Sequence, residues 1–155
     1  MLTFRYVAAD EEPAASLLDA MRVEIAAMYD DLDLDGAGMP KAGPTELGPP
    51  GGTFLVGFDD AGRAVCCGGI KRLQDGACEI KRMYVVPEGR GRGVGRELLE
   101  KLEQAAGELG YRVVRLDTGP RQPGAERMYR QAGYRPIGNF NANPVASFFG
   151  EKQLS

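Results

Sequence analysis

The stretch Glu79–Leu99, EIKRMYVVPEGRGRGVGRELL, constrains this chain more than any other. It reads as a strand stopped by Pro87, a loop with glycine at every second position from Gly89 to Gly95, and an amphipathic helix that places Val94, Leu98, Leu102 and Ala105 on one side. Alternating glycines let a backbone take up positive φ and approach a ligand closely. The helix that follows adds unsatisfied N–H groups and the positive end of its dipole. Arg90, Arg92 and Arg96 surround those amides with positive charge. The expected ligand carries phosphate.

The rest of the chain supplies a frame for this unit. Leu2–Val7 alternates apolar with polar residues, as a half-buried strand does. Asp10, Glu11, Glu12 and Pro13 open a helix that Leu17, Met21, Ile25 and Met28 carry to about Tyr29. Thr53–Asp59 and Arg63–Leu73 form a hairpin across Asp59-Asp60-Ala61-Gly62, with Gly68-Gly69 marking a bulge or a close backbone approach. Ala77–Val86 continues the sheet, and Gly93–Gly107 is the helix after the glycine loop. Arg112–Asp117 returns as a strand parallel to Ala77–Val86, because a strand, crossover helix and strand make a right-handed βαβ unit. A short helix at Gly124–Gln131 and strands at Tyr134–Gly138 and Val145–Leu154 complete one mixed α/β sheet. Between the first helix and the hairpin, Asp30–Gly52 is rich in Gly, Pro and Asp and reads as a long functional loop. Asp31, Asp33, Asp35 and Gly36 match the opening of an EF-hand calcium loop. Ala42 stands where the bidentate glutamate belongs and no helix-forming segment follows, which favours a flexible acidic loop that attracts a cation.

Composition removes several chemistries. The chain has no histidine, which excludes Ser-His and Cys-His nucleophiles and His-based zinc sites. Cys66, Cys67 and Cys78 lack CxxC spacing and read as small buried hydrophobes. At 155 residues the expectation is a single domain over 1–155, cytoplasmic, with no membrane span and no signal peptide. Residues 1–60 hold 3 basic and 12 acidic side chains and residues 61–155 hold 16 and 10, so an anion suits the second part and a cation the first. A nucleic-acid module, suggested by the arginines near 90, is disfavoured by the acidic first part.

Two common nucleotide motifs fail: no Gly-Lys pair exists for a P-loop, and alternating glycines past mid-chain are not the GxGxxG of a first βα turn. Arg90-Gly91-Arg92-Gly93-Val94-Gly95 instead resembles the (Q/R)xxGx(G/A) signature of the GNAT superfamily of acyl-CoA-dependent N-acetyltransferases, and AERMYRQAGYRPIG resembles that family's AxxxYxxxGF segment. The resemblance covers residues 53–152 well and is weakest through 30–52. It implies a mixed sheet of about six to seven strands flanked by about four helices. It further implies acetyl-CoA as cosubstrate and no metal. The amides of Arg90–Gly95 would cradle the pyrophosphate, with Arg96 beside them, and Met83-Tyr84-Val85 would pair with the pantetheine arm as an added strand does. Gln122 stands near a cofactor-contacting asparagine of relatives. Glu79 occupies the position of a general base, and Tyr129 that of the tyrosine that protonates the departing sulfur. The alternatives are Glu79 paired with Lys81 or Arg72 on an exposed sheet face, and Tyr129 as a packing residue. The acceptor would be a primary amine of a small molecule or peptide, acetylated directly in a ternary complex. A non-catalytic acyl-CoA-binding sensor on the same fold is the alternative. The resemblance also allows a homodimer, since the last strands of this fold often pair between protomers.

Overall fold

The central strands are buried on both faces, and the helices cover both. In the computed structural model, which describes all 155 residues, strands β1 (Thr3–Tyr6), β2 (Thr53–Phe58), β3 (Ala64–Arg72), β4 (Cys78–Val85), β5 (Val113–Thr118), β6 (Arg135–Pro136) and β7 (Phe148–Gln153) form one sheet. Its order is β1-β2-β3-β4-β5-β7-β6, antiparallel throughout except between β4 and β5. Helices α2 (Val94–Glu108) and α3 (Pro123–Gln131) cover one face, where Cys78, Ile80, Val114 and Leu116 pack on Leu98, Leu102 and Tyr129. Helix α1 (Ala14–Met28) and the 30–52 segment cover the other, where Phe54, Val56 and Cys67 meet Leu17, Leu18 and Leu47. No helix is long and apolar enough to cross a membrane.

The boundaries differ from the expected ones where local chemistry outweighs pattern. Helix α1 starts at Ala14 with Pro13 outside it, and the Glu12 carboxylate accepts hydrogen bonds from the Ser16 amide and hydroxyl at 3.0 and 2.9 Å, which satisfies an orphan donor of the first turn. The strand expected at 134–138 shortens to Arg135–Pro136 and the last begins only at Phe148, because an asparagine-rich loop lies between them. Three α-helices and a 3-10 turn at Pro87–Gly89 stand where about four helices were expected, since the Gly- and Pro-rich 30–52 segment folds into turns.

That segment is not a free acidic loop. Asp35 pairs with Arg22 of α1 at 2.7 Å and with Arg82 of β4 at 3.4 Å, Asp33 accepts from the Asp35 amide, and Asp30 pairs with Arg121. Its far end is pinned at Gly52, where a Cβ would stand 2.4 Å from the Ile70 carbonyl oxygen and 2.5 Å from that of Glu46.

Two irregularities shape the middle of the sheet. The parallel pairing of β4 with β5 comprises Cys78–Val114 and Glu79–Arg115, after which the strands part although β4 runs on to Val85 and β5 to Thr118. Each remains paired on its outer side, to β3 and β7, so the gap opens inside the sheet. On the other side of β4, Arg82 and Met83 together oppose Gly68, a β-bulge in which Arg82 adopts φ of 60°. The sequence places the irregularity correctly at Gly68-Gly69, but the extra residue lies on the partner strand.

The Gly52 approach is made by backbone atoms that no rotamer change relieves. Gly52→Ala is expected to lower stability by about 1–3 kcal/mol, read as a shifted midpoint in urea unfolding at unchanged m-value.

Candidate active site

Two cavities meet at the gap between β4 and β5. The outer one is a cleft of about 610 Å³ running from Met83, Tyr84 and Val85 along Arg90, Gly91, Gly93, Val94, Gly95 and Arg96 to the start of α3 at Gln122–Ala125. Gly91 and Gly93 both have φ of 78°, which turns the chain so that Gly93 caps α2 without any side-chain hydrogen bond. The first amides of α2 therefore point at an open cleft, as a phosphate site requires. Arg92 departs from expectation: its neighbours are Met1, Asp59 and Glu88 in a separate groove. Arg90 lies in the cleft but is already engaged, donating to the Val85 carbonyl at 2.9 Å and pairing with Glu24 at 2.7 Å. Arg96, salt-bridged loosely to Glu100 at 3.6 Å, is the less committed cation of the cleft wall, whereas Arg121 there pairs with Asp30 at 3.3 Å and donates to the Met28 carbonyl.

The inner cavity is small, about 100 Å³, and is enclosed by Met21, Ile25 and Tyr29 of α1, Leu34 and Met39 of the 30–52 segment, and Val145 and Ala146 before β7. Lys81, Arg82, Asp117, Thr118, Tyr129 and Asn143 also line it. Met83 and Gln122 border both cavities, and the Tyr129 hydroxyl lies 3.6 Å from the Met83 sulfur, so Tyr129 stands where the two meet. Gln122 is held in place by the Tyr29 hydroxyl, which donates to its Oε1 at 3.1 Å.

Glu79 is fully buried, on the α1 face of the sheet one strand position before Lys81 on that face. Its Oε2 accepts from Asn141 Nδ2 at 2.8 Å and lies 3.3 Å from Lys81 Nζ, while Oε1 has no partner. Asp117, carried on the same face by the parallel register, accepts from Asn141 at 2.7 Å and from Asn143 at 3.0 Å, and lies 3.9 Å from Lys81 Nζ. The expected alternative of an exposed Glu79–Lys81 pair is thus half right: the pair exists, but it is buried. Arg72 turns away to Tyr111. Burial holds the Glu79 carboxyl above its ordinary range, and the nearby Asp117 pushes the same way against Lys81 and Asn141. Burial also raises the Tyr129 phenol, so it stays protonated, and drives the Cys66 and Cys78 thiols up to about 12, which fits inert packing.

Glu79 and Tyr129 lie on opposite faces of the sheet, Tyr129 bordering the inner cavity and Glu79 set behind Asp117. Sequence reasoning missed Asp117, Arg82, Asn141 and Asn143. Asp117 reaches the face of Glu79 through the parallel register of β4 with β5. Nothing local marks the asparagines, whose place depends on the path of the loop before β7.

The Acetyltransferase (GNAT) family model matches residues 18–134. The chain belongs to the GNAT acetyltransferase family. This GNAT chain is 36% identical over 101 residues to an uncharacterized N-acetyltransferase of Schizosaccharomyces pombe, spanning 64% of this chain and 62% of that relative's length. Its fold is similar to that of a Klebsiella pneumoniae protein described as an acyl-CoA N-acyltransferase, with TM-score 0.81, 27% identity and coverage of 100% and 99% of the two chains. It is also similar in fold to a GNAT family acetyltransferase from Elizabethkingia anophelis solved with acetyl-CoA bound, at TM-score 0.66, 16% identity and coverage of 99% and 98%.

A carboxyl raised above its unfolded value binds its proton more tightly in the folded state, so it lowers stability as pH rises above the unfolded value of 4.5. Glu79→Gln removes that term. Its melting temperature is expected to gain on wild type as pH rises from 4.5 to 7, in paired thermal melts, and a difference that is constant with pH would contradict a raised carboxyl at this position.

Proposed function

We propose that this GNAT protein transfers the acetyl group of acetyl-CoA directly to a primary amine in a ternary complex. The carrying observation is the junction of the glycine-loop cleft with the inner cavity at Met83, beside the Tyr129 hydroxyl. Acetyl-CoA when bound supplies an activated acyl carbon on a sulfur leaving group. The protein's part is to hold and orient. The amides of Gly91–Gly95 and the uncapped start of α2 receive the pyrophosphate, aided by Arg96 and Arg121. The edge of β4 beyond Glu79, which β5 leaves unpaired, offers the backbone of Met83 to an extended arm, while the Val85 carbonyl is shared with Arg90.

The amine enters from the α1 face through the inner cavity. Nitrogen forms its bond to the acyl carbon as the carbon–sulfur bond breaks. The proton released by nitrogen passes to the Asp117–Glu79 carboxylate pair, and the sulfur receives one from the Tyr129 hydroxyl on the other face. Of the two carboxylates, Asp117 borders the cavity and Glu79 lies behind it, so Glu79 acts on the amine through water or through Asp117. The buried thiols and the lack of histidine leave no thiolate and no histidine-activated nucleophile for an acetyl-enzyme, which supports direct attack.

A screen of amine acceptors, read by thiol release from acetyl-CoA, tests the reading. Acetyl-CoA binding without thiol release for any amine would leave only a sensor role. Tyr129→Phe is expected to lower kcat by about 10²-fold while the melting temperature holds, because its ring keeps its edge contact with Tyr134 at 6.1 Å. Glu79→Gln is expected to lower kcat by about 10²-fold or more with acetyl-CoA affinity retained. The acid limb of the wild-type pH–rate profile should lie above 4.5, because Glu79 is raised.

A further inference from the structure

Arg82 is the one residue of β4 whose backbone departs from strand geometry, and its side chain lines the inner cavity. A non-glycine residue at φ of 60° is disfavoured, a cost that such sites keep when the bend aims a side chain. Here the bend brings a guanidinium into the space enclosed by α1, the 30–52 segment and β5. The side chain is only 7% exposed. Its partners are weak for so buried a cation: Nη2 reaches the Leu34 carbonyl at 3.5 Å and Asp35 at 3.4 Å. Asp35 is shared, and it holds Arg22 much closer, at 2.7 Å. Nε and Nη1 of Arg82 make no hydrogen bond within the protein, so part of the guanidinium fork is left for something in the cavity.

We propose that Arg82 binds a carboxylate of the acceptor, making the acceptor an amino-acid-sized zwitterion with an apolar side chain. This rests on the acetyltransferase reading of the same site. Three features of the cavity agree. Its volume of about 100 Å³ limits the acceptor to something of about amino-acid size. Its walls are apolar at Met21, Ile25, Leu34, Met39 and Val145. Its other charged side chains are Lys81, already committed to Glu79 and Asp117 at 3.3 and 3.9 Å, and Asp117 itself, so the cavity offers a free cationic fork and an anion to a ligand that carries both. A simple amine would leave the Arg82 fork answered only by water, whereas an acceptor carboxylate would pair with it directly, and a site built to pair a polar group discriminates against the analogue that lacks it.

The test compares leucine, leucinamide and isoamylamine as acceptors for the wild-type protein, with rates expressed per neutral amine and acetyl-CoA binding measured separately. The expected kcat/KM for leucine exceeds that for the other two by 30-fold or more, chiefly through KM. Arg82→Gln is expected to collapse this ratio to within about threefold. Arg82→Lys, which keeps the charge but loses the fork, is expected to restore only part of it. Equal rates for the three acceptors in wild type, or an undiminished ratio in Arg82→Gln, would overturn the carboxylate assignment while leaving acetyl transfer intact. An equal loss for all three acceptors in both Arg82→Gln and Asp35→Asn would overturn it in favour of a tether for the 30–52 segment. Acetyl-CoA binding with no thiol release for any amine would instead overturn the acetyltransferase reading on which it rests.

Discussion

The parting of β4 from β5 after Glu79 and Arg115 is the constraint on which the rest depends. Parallel strands in a sheet normally satisfy one another along their length, and a gap between them leaves backbone groups without partners. Here the cost is tolerated because each strand stays paired on its outer edge, and because α2 on one face and α1 on the other close over the opening. The opening converts a continuous sheet into one with a passage through it. Residues that a closed sheet would keep on separate sides, Tyr129 beneath and Asp117 above, come to border a single cavity.

That passage also explains the charges around it. Glu79, Lys81 and Asp117 would be poor choices for a closed core, since each buried charge costs several kcal/mol. They hold together because one ammonium lies within 4 Å of both carboxylates, at 3.3 and 3.9 Å, and Asn141 donates to both. The set is incomplete in one respect, the unpartnered Oε1 of Glu79. Two carboxylates answered by one lysine leave the group with an excess of negative charge, which suits a region through which an amine must lose a proton. Arg82, bent out of the strand at the bulge, adds the opposite charge at the cavity wall.

The strand, glycine loop and helix around Glu79–Leu99 were legible because every step is local: Pro87 stops the strand, Gly91 and Gly93 turn at positive φ, and Leu98 and Leu102 repeat at helical spacing. The parallel return of β5 was legible from the handedness of a crossover. The acidic 30–52 segment misled, since carboxylates that read as free are committed to Arg22, Arg82 and Arg121, partners far along the chain. Arg92 misled in the same way: its position in the motif fixes its backbone, whereas its side chain follows the room left by Met1 and Glu88.

By itself, then, the sequence determined the fold class, the family and the glycine loop, because periodicity, turn chemistry and motif spacing act over a few residues. Tertiary structure alone decided that β4 and β5 separate, that Asp117 and the asparagines of the loop before β7 join Glu79, and that Arg82 turns inward from a bulge. Those outcomes depend on which strands share an edge and in what register, and on which buried charges must find a partner. Contacts between residues 62 and 24 positions apart, such as those of Asn141 with Glu79 and Asp117, settle them only once the sheet has formed.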